Sequence, residues 1–130
     1  GGYAPIGDLY KSEVYDVARA LNSEAKQFGQ TPPITESTLT KPPSAELAPD
    51  QVDQDTLPPY ETLDAILHAH IEDGASSSTL IASGFDENLV KWILERLHAN
   101  EHKRWQMAPA PRVSNRAFGQ GWRQPLAAKK

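Results

Sequence analysis

The stretch from Thr40 to Asp55, TKPPSAELAPDQVDQD, constrains the fold more than any other part of the sequence. Proline fixes φ and has no amide hydrogen, and the residue before it favours extended backbone, so Pro42 and Pro43 oppose a helix here. The stretch is also too polar for a strand. It therefore predicts a long irregular connection, and loops of this kind are usually either functional or disordered.

Helical periodicity is present on both sides of this connection. In the first block, apolar residues recur at the spacing of one helix face, at Val14, Val17, Ala18 and Leu21. This pattern predicts a helix over residues 11–22, with Ser12 as N-cap and Asn22 as its end. A proline-rich loop follows over residues 27–58, in which ITESTLT has room for a turn or two of helix at most.

Residues 59–106 are predicted to form a helical bundle. A helix begins at Pro58 and Pro59 and ends at Gly74, and a short helix follows with a serine cap and Gly84 at its end. Asp86 caps the longest helix, whose polar continuation HANEHKRWQ extends at most to Gln106 because prolines follow. The chain is therefore expected to be mainly α, with about four helices and long loops. Its short apolar stripes indicate that the chain is part of a larger protein, in which a neighbouring segment covers these apolar faces.

Residues 107–130 form a basic tail. Beyond Asn100, only Glu101 opposes a set of cations, namely Lys103, Arg104, Arg112, Arg116, Arg123, Lys129 and Lys130. A basic tail with aromatic residues is compatible with binding single-stranded nucleic acid. The net charge of -4 favours the other interpretation, a tail that folds back on an acidic body.

Several classes of protein are disfavoured by composition. No charge-free apolar run approaches the ~20 residues of a membrane span, and charges interrupt the N-terminal segment before a signal peptide can form. There is no cysteine, hence no disulfide and no thiolate metal site. The segment Tyr60–Asn100 resembles a helix-turn-helix, but its excess of acids repels DNA, so DNA binding or protein interaction is kept as the alternative function.

Two metal hypotheses are weak. His98 and His102 are four residues apart and would share a helix face, yet no further ligands accompany them. Asp50, Asp53 and Asp55 lack the glycine and the terminal glutamate of a calcium loop. No metal ligand is therefore assigned.

Lys11 lies at the start of the first predicted helix. Its ammonium adds to the positive end of the helix dipole, a placement that is unfavourable unless an anion binds there. A solvated lysine is the alternative interpretation.

Four blocks in a fixed order carry a resemblance to a known family. They are GGYAPIGDLYKSEVYDVARALN, KPPSAELAPDQVDQDTLPPYETLDAIL, GFDENLVKWI and NEHKRWQMAPAPRVSNRAFG. Together they closely resemble the C-terminal part of NAD(+) synthase, most of all the glutamine-dependent bacterial type. The resemblance implies that this chain is a fragment of an α/β adenine-nucleotide alpha-hydrolase-like fold of the N-type ATP pyrophosphatase kind.

The resemblance also implies a ligase reaction. ATP would activate the nicotinate carboxylate of deamido-NAD as an adenylate and release pyrophosphate, and ammonia, free or derived from glutamine, would displace AMP to give NAD. It further implies ATP with magnesium, a homodimeric synthetase core and a cytoplasmic location, with neither nucleic acid nor a membrane as partner.

Individual residues match the family's binding positions. Lys11 matches a lysine that contacts ATP phosphate, and Ser44 matches a hydroxyl residue that contacts ATP. His102 and Lys103 match the pair that contacts deamido-NAD. Glu46 aligns with an acidic position in the substrate loop, and no catalytic residue is assigned.

The departures from the family are equally informative. The glycine- and serine-rich loop SGGxDS that binds ATP phosphates is absent from this sequence, as are the acids that hold magnesium and the strands of the nucleotide-binding sheet. We therefore expect the chain to be catalytically inactive by itself. We also expect the Thr40 to Asp55 stretch to be a lid that becomes ordered, with Ser44 toward the phosphates, only when nucleotide is present.

Overall fold

A computed structural model describes residues 2–41, 57–116 and 121–126. These ranges contain six helices and no strand. The helices are α1 (Lys11–Gln27), α2 (Glu36–Thr40), α3 (Tyr60–Ile71), α4 (Ser77–Ala82), α5 (Glu87–Ala99) and α6 (Glu101–Trp105). The prediction of a mainly α chain is confirmed, but the described ranges contain six helices where about four were expected. The two additional helices are short: ESTLT, within the segment for which a turn or two was predicted, and EHKRW.

The chain divides into two compact units. The first unit is Tyr10–Leu63, and the second combines Gly1–Leu9 with Asp64–Lys130.

Helix α1 of the first unit does not end at Asn22 as predicted. It continues to Gln27, and Gly29 follows in the left-handed region at φ 67°. Asn22 does not end the helix because its side chain bonds elsewhere: Nδ2 donates to the Ile34 carbonyl at 2.8 Å, and Oδ1 accepts from the Ile34 amide at 3.0 Å. The side chain is 8% exposed and fixes the loop after α1 against the helix.

The predicted N-cap of α1 is also wrong. Tyr10, not Ser12, is the N-cap residue, and its amide donates to Glu13 Oε2 at 2.8 Å. This carboxylate in the first turn also complements the helix dipole. Ser12 therefore lies inside the helix, where Lys11 is the first residue.

The second unit has an aliphatic core. Its fully buried members come from α3, α4 and α5, namely Ile66, Ile71, Leu80, Val90 and Ile93. The predicted turn signals around them are confirmed. Ser76 accepts from the Thr79 amide at 3.1 Å, Asp86 accepts from the Leu89 amide at 2.8 Å, and Gly84 has φ 100°.

Helix α5 ends at Ala99, so the polar run after it does not simply lengthen the helix. Asn100 Nδ2 donates to the Arg96 carbonyl at 2.8 Å, and a separate turn, α6, begins at Glu101. On the exposed face of α5, Lys91 Nζ lies 2.6 Å from Glu87 Oε1, and this hydrogen bond raises the pKa of Lys91.

The described part of the tail folds back on acids of its own unit, as one of the two interpretations predicted. Glu72 Oε2 accepts from the Arg116 amide at 2.9 Å, and Glu101 Oε1 accepts from the Gln124 amide at 3.2 Å. These acids thus bind main-chain amides of the tail. Counting charges alone would instead predict that they bind its cationic side chains.

Replacing Asn22 tests whether its hydrogen bonds to Ile34 stabilise the first unit. We expect Asn22→Ala to lower the free energy of unfolding by about 1–3 kcal/mol, because the Ile34 amide and carbonyl lose their partner together. Urea denaturation measures the loss, and hydrogen exchange at the Ile34 amide reports it locally. The control is Ser23→Ala on the exposed face of α1, and equal stability of the two variants would contradict the role given to Asn22.

Candidate functional site

Helix α6 carries two of the residues matched to a binding role, His102 and Lys103. Both are exposed, and His102 Nδ1 lies 3.0 Å from the Ala99 carbonyl oxygen. In the described ranges the side chain of Lys103 makes no hydrogen bond or ion pair, although its backbone amide donates to the Asn100 carbonyl. Its ammonium is therefore available to an anionic ligand from solution.

The opposite face of α6 is buried and charged. Glu101 and Arg104 form an ion pair at 3.0 Å, with side chains 3% and 7% exposed. The second oxygen of Glu101 accepts from Trp105 Nε1 at 3.1 Å and from the Gln124 amide. A buried carboxylate needs several hydrogen-bond donors, and here Glu101 has three, while Arg104 Nε is buried without a hydrogen-bond partner in the described ranges.

Arg104 connects α6 to the tail. Its guanidinium donates to the Trp122 carbonyl and lies 4.8 Å from the centroid of the Trp122 ring. Neither Glu101 nor Arg104 is assigned a role from the sequence above. The signal that identifies them is the i,i+3 spacing of an acid and an arginine within EHKRW.

Asp8 is a second buried carboxylate, 5% exposed. It accepts from the amides of Val113 and Ser114, both at 2.8 Å, and from the Ser114 hydroxyl at 3.0 and 3.1 Å. Nearby, the Ala4 amide donates to the Pro109 carbonyl at 2.9 Å. The N-terminal segment thereby holds the segment that follows α6.

Lys11 belongs to the first unit and lies at the start of α1, exposed to solvent. Its Nζ is 6.0 Å from the centroid of the Tyr15 ring and 5.7 Å from that of Tyr60, at the outer limit of cation–π contact. Within the described part of the chain it has no carboxylate partner. The sequence-based idea that an anion would relieve its position at the helix start is compatible with this geometry.

Ser44 and Glu46 lie outside the described residues, as do Asp50, Asp53 and Asp55. The predicted ordering of the Thr40 to Asp55 stretch by nucleotide therefore stays a prediction.

The histidines do not assemble a metal site in the ranges that the structure describes, where no group of three or more candidate ligands occurs. His98 and His102 belong to α5 and α6, so they do not share one helix face. His70 Nδ1 lies 2.8 Å from the Ala75 carbonyl, and its ring meets the Trp122 ring edge-on at 5.7 Å. Its role is packing in the second unit.

Among the described residues, none of the helices combines the length and the apolar character that a bilayer span requires.

Comparison with known proteins identifies the class. Residues 1–107 match the sequence profile of the family described as NAD synthase. The chain therefore belongs to the NAD synthase family.

Two similar members of this family are glutamine-dependent enzymes. The chain is 47% identical over 126 residues to the glutamine-dependent NAD(+) synthetase of Acinetobacter baylyi, which covers 97% of this chain and 23% of the relative. It is 45% identical over 129 residues to that of Aquifex aeolicus, covering 99% of this chain and 22% of the relative. The chain thus spans less than a quarter of the length of these relatives.

A solved structure supports the same family assignment. The chain matches the glutamine-dependent NAD+ synthetase from Acinetobacter baumannii, solved in complex with ADP, with a TM-score of 0.52 and 35% identity. The match covers 92% of this chain and 19% of that one. The helices described above are thus similar to part of a synthetase fold.

Replacing Glu101 tests the buried face of α6. We expect Glu101→Ala to lower the free energy of unfolding by about 3–5 kcal/mol, because Arg104 keeps its charge in a buried position without a partner. The control is Asp16→Ala, which breaks an ion pair of the same i,i+3 spacing whose side chains, on Arg19 and Asp16, are 61% and 75% exposed. That loss is expected to be about 0.5 kcal/mol or less. Urea denaturation measures the free energy of unfolding of both variants, and similar losses would contradict the role of Glu101.

Proposed function

We propose that this chain is the C-terminal part of the synthetase domain of a glutamine-dependent NAD(+) synthase. The single observation that carries the proposal is 47% identity to such an enzyme over 97% of the chain. In the whole protein, ATP adenylates the nicotinate carboxylate of deamido-NAD and releases pyrophosphate. Ammonia, supplied by glutamine or from solution, then displaces AMP and leaves NAD.

Lys11 acts on the ATP phosphates in this proposal. Its exposed ammonium and the start of α1 present positive charge together, and charge on the phosphates changes as pyrophosphate leaves. The ADP bound to the Acinetobacter baumannii relative supports a nucleotide site in this family. Ser44 contributes a hydroxyl to the same nucleotide, and Glu46 lies in the same loop.

His102 and Lys103 bind deamido-NAD. Their exposure on one side of α6, with the ion pair of Glu101 and Arg104 on the other, supports this role because the buried pair fixes the orientation of the helix. The ammonium of Lys103 supplies a positive charge for an anionic group of the dinucleotide.

The proposed reaction uses magnesium with ATP, and no group of three or more candidate ligands occurs among the residues that the structure describes. We assign its ligands to other parts of the whole protein, together with the SGGxDS loop. Magnesium would neutralise ATP phosphate charge there. A homodimeric core and a cytoplasmic location complete the proposal. The alternative of a DNA-binding module has no observation in its favour.

The isolated chain is expected to make no NAD from ATP, deamido-NAD, magnesium and ammonia, because the SGGxDS loop is absent from its sequence. Chromatographic detection of NAD and of AMP tests this, with a complete glutamine-dependent synthetase as the positive control. Turnover by the chain alone would show that the fragment proposal is wrong.

Substitutions in the complete enzyme test the residue roles. Lys11→Ala and Ser44→Ala are expected to lower the rate of adenylation by about ten-fold or more with little change in deamido-NAD binding, because their partners change charge during the reaction. Lys103→Ala is expected to have the reverse effect, raising the KM for deamido-NAD. Single-turnover release of pyrophosphate gives the rate, and equilibrium dialysis gives the affinity.

The control is Lys26→Ala, which removes an exposed charge from the last turn of the helix that begins at Lys11. It should leave both quantities unchanged. Weaker deamido-NAD binding without a loss of rate in Lys11→Ala would exclude a role at the phosphates.

A further inference from the structure

A cavity of about 250 Å³ lies within the unit formed by Gly1–Leu9 and Asp64–Lys130. The segment from Met107 to Arg112 forms much of its wall, and the other lining residues are Asp8, Arg104, Gly121 and Arg123. Neither His102 nor Lys103 is among its lining residues. The cavity is therefore separate from the residues assigned to deamido-NAD.

The charges around this cavity do not balance. Glu101 neutralises Arg104, and Asp8 is occupied by the amides of Val113 and Ser114. In the described part of the chain, Arg112 and Arg123 have no carboxylate partner. Asp8 keeps its own negative charge while it accepts from these amides, so the two exposed guanidinium groups leave an excess of one positive charge around the cavity.

The two guanidinium groups are held in place without acids. Arg112 donates through Nε to the Ser114 carbonyl at 3.2 Å and through an Nη to the Asn115 carbonyl. Arg123 lies 4.2 Å from the centroid of the Trp105 ring. Both groups are thus positioned by contacts other than ion pairs.

The wall is also rigid before any ligand arrives. Pro109 and Pro111 fix φ at two of its positions, the Ala4 amide bonds to the Pro109 carbonyl, and Asp8 anchors Ser114 just beyond Arg112. A ligand that binds here loses little affinity to ordering of the protein.

We propose that this cavity binds a phosphate-bearing anion, with Arg112 and Arg123 as its donors and Asp8 as the residue that holds the wall. Guanidinium groups bind phosphate and carboxylate through paired hydrogen bonds. A phosphate has enough oxygens and charge to engage two guanidinium groups together, whereas the two oxygens of a carboxylate match one. The site goes beyond the proposed synthesis of NAD and does not depend on it.

Titration of the 130-residue protein with pyrophosphate, inorganic phosphate and acetate tests the proposal. Tryptophan fluorescence is the readout, because Arg123 stacks on Trp105 and Arg104 stacks on Trp122, so a bound anion perturbs both rings. We expect saturable binding of pyrophosphate, weaker binding of phosphate, and binding of acetate at least about ten-fold weaker than that of pyrophosphate. The double variant Arg112→Ala, Arg123→Ala is expected to weaken pyrophosphate binding by about ten-fold or more, because it loses charge-assisted hydrogen bonds.

The matched control is Arg96→Ala. Arg96 stacks on Trp92 at 4.8 Å and is exposed, but it does not line the cavity, so this variant loses an arginine charge and a cation–π contact elsewhere. Its affinity for pyrophosphate should stay within about two-fold of the original. Arg112→Lys keeps the charge but loses the paired geometry and should fall between the original protein and the double variant.

Three outcomes would overturn the proposal. These are the absence of saturable binding by the original protein, acetate binding as tight as that of pyrophosphate, and equal weakening in Arg96→Ala and the double variant. The last result would mean that the affinity for pyrophosphate depends only on the net charge of the protein.

Discussion

Three donors converge on the carboxylate of Glu101: the guanidinium of Arg104, the indole of Trp105 and the main-chain amide of Gln124. An ionised carboxylate is costly to bury, so these partners have to be in place together for the second unit to fold. The first two lie on α6 itself, and the third belongs to the tail. One carboxylate therefore fixes both the orientation of α6 and the path of the chain beyond it.

Asp8 repeats this arrangement at the other end of the chain. Its oxygens take the amides of Val113 and Ser114, and so the N-terminal segment becomes part of the unit built by Asp64–Lys130. Acids in this protein thus hold irregular backbone by accepting from its amides. Arg112 and Arg123, which line the cavity, have no carboxylate partner in the described ranges, and this is the physical basis of the proposed anion site.

Much of the local structure follows from short-range rules. Ser76, Asp86 and Gly84 mark the ends of α4 and α5 in the sequence, because caps and left-handed glycines act within a few residues. The same rules mislead at Asn22. Asparagine often ends a helix, yet here its side chain finds the Ile34 backbone, a partner 12 residues away, and α1 continues. Lys11, His102 and Lys103 are identified by resemblance, and their exposure is compatible with the roles proposed for them.

By itself the sequence determined the mainly helical character, the N-caps of α4 and α5, the membership of the NAD synthase family and the interruption of helices by proline. Only the tertiary structure showed that Glu101 and Arg104 form a buried pair, that Asp8 holds a segment 105 residues away, and that Arg112 and Arg123 line one cavity. The reason is physical. Periodicity and capping depend on neighbours along the chain, whereas a buried carboxylate needs donors that folding brings from distant positions, and no local pattern encodes which donors these are.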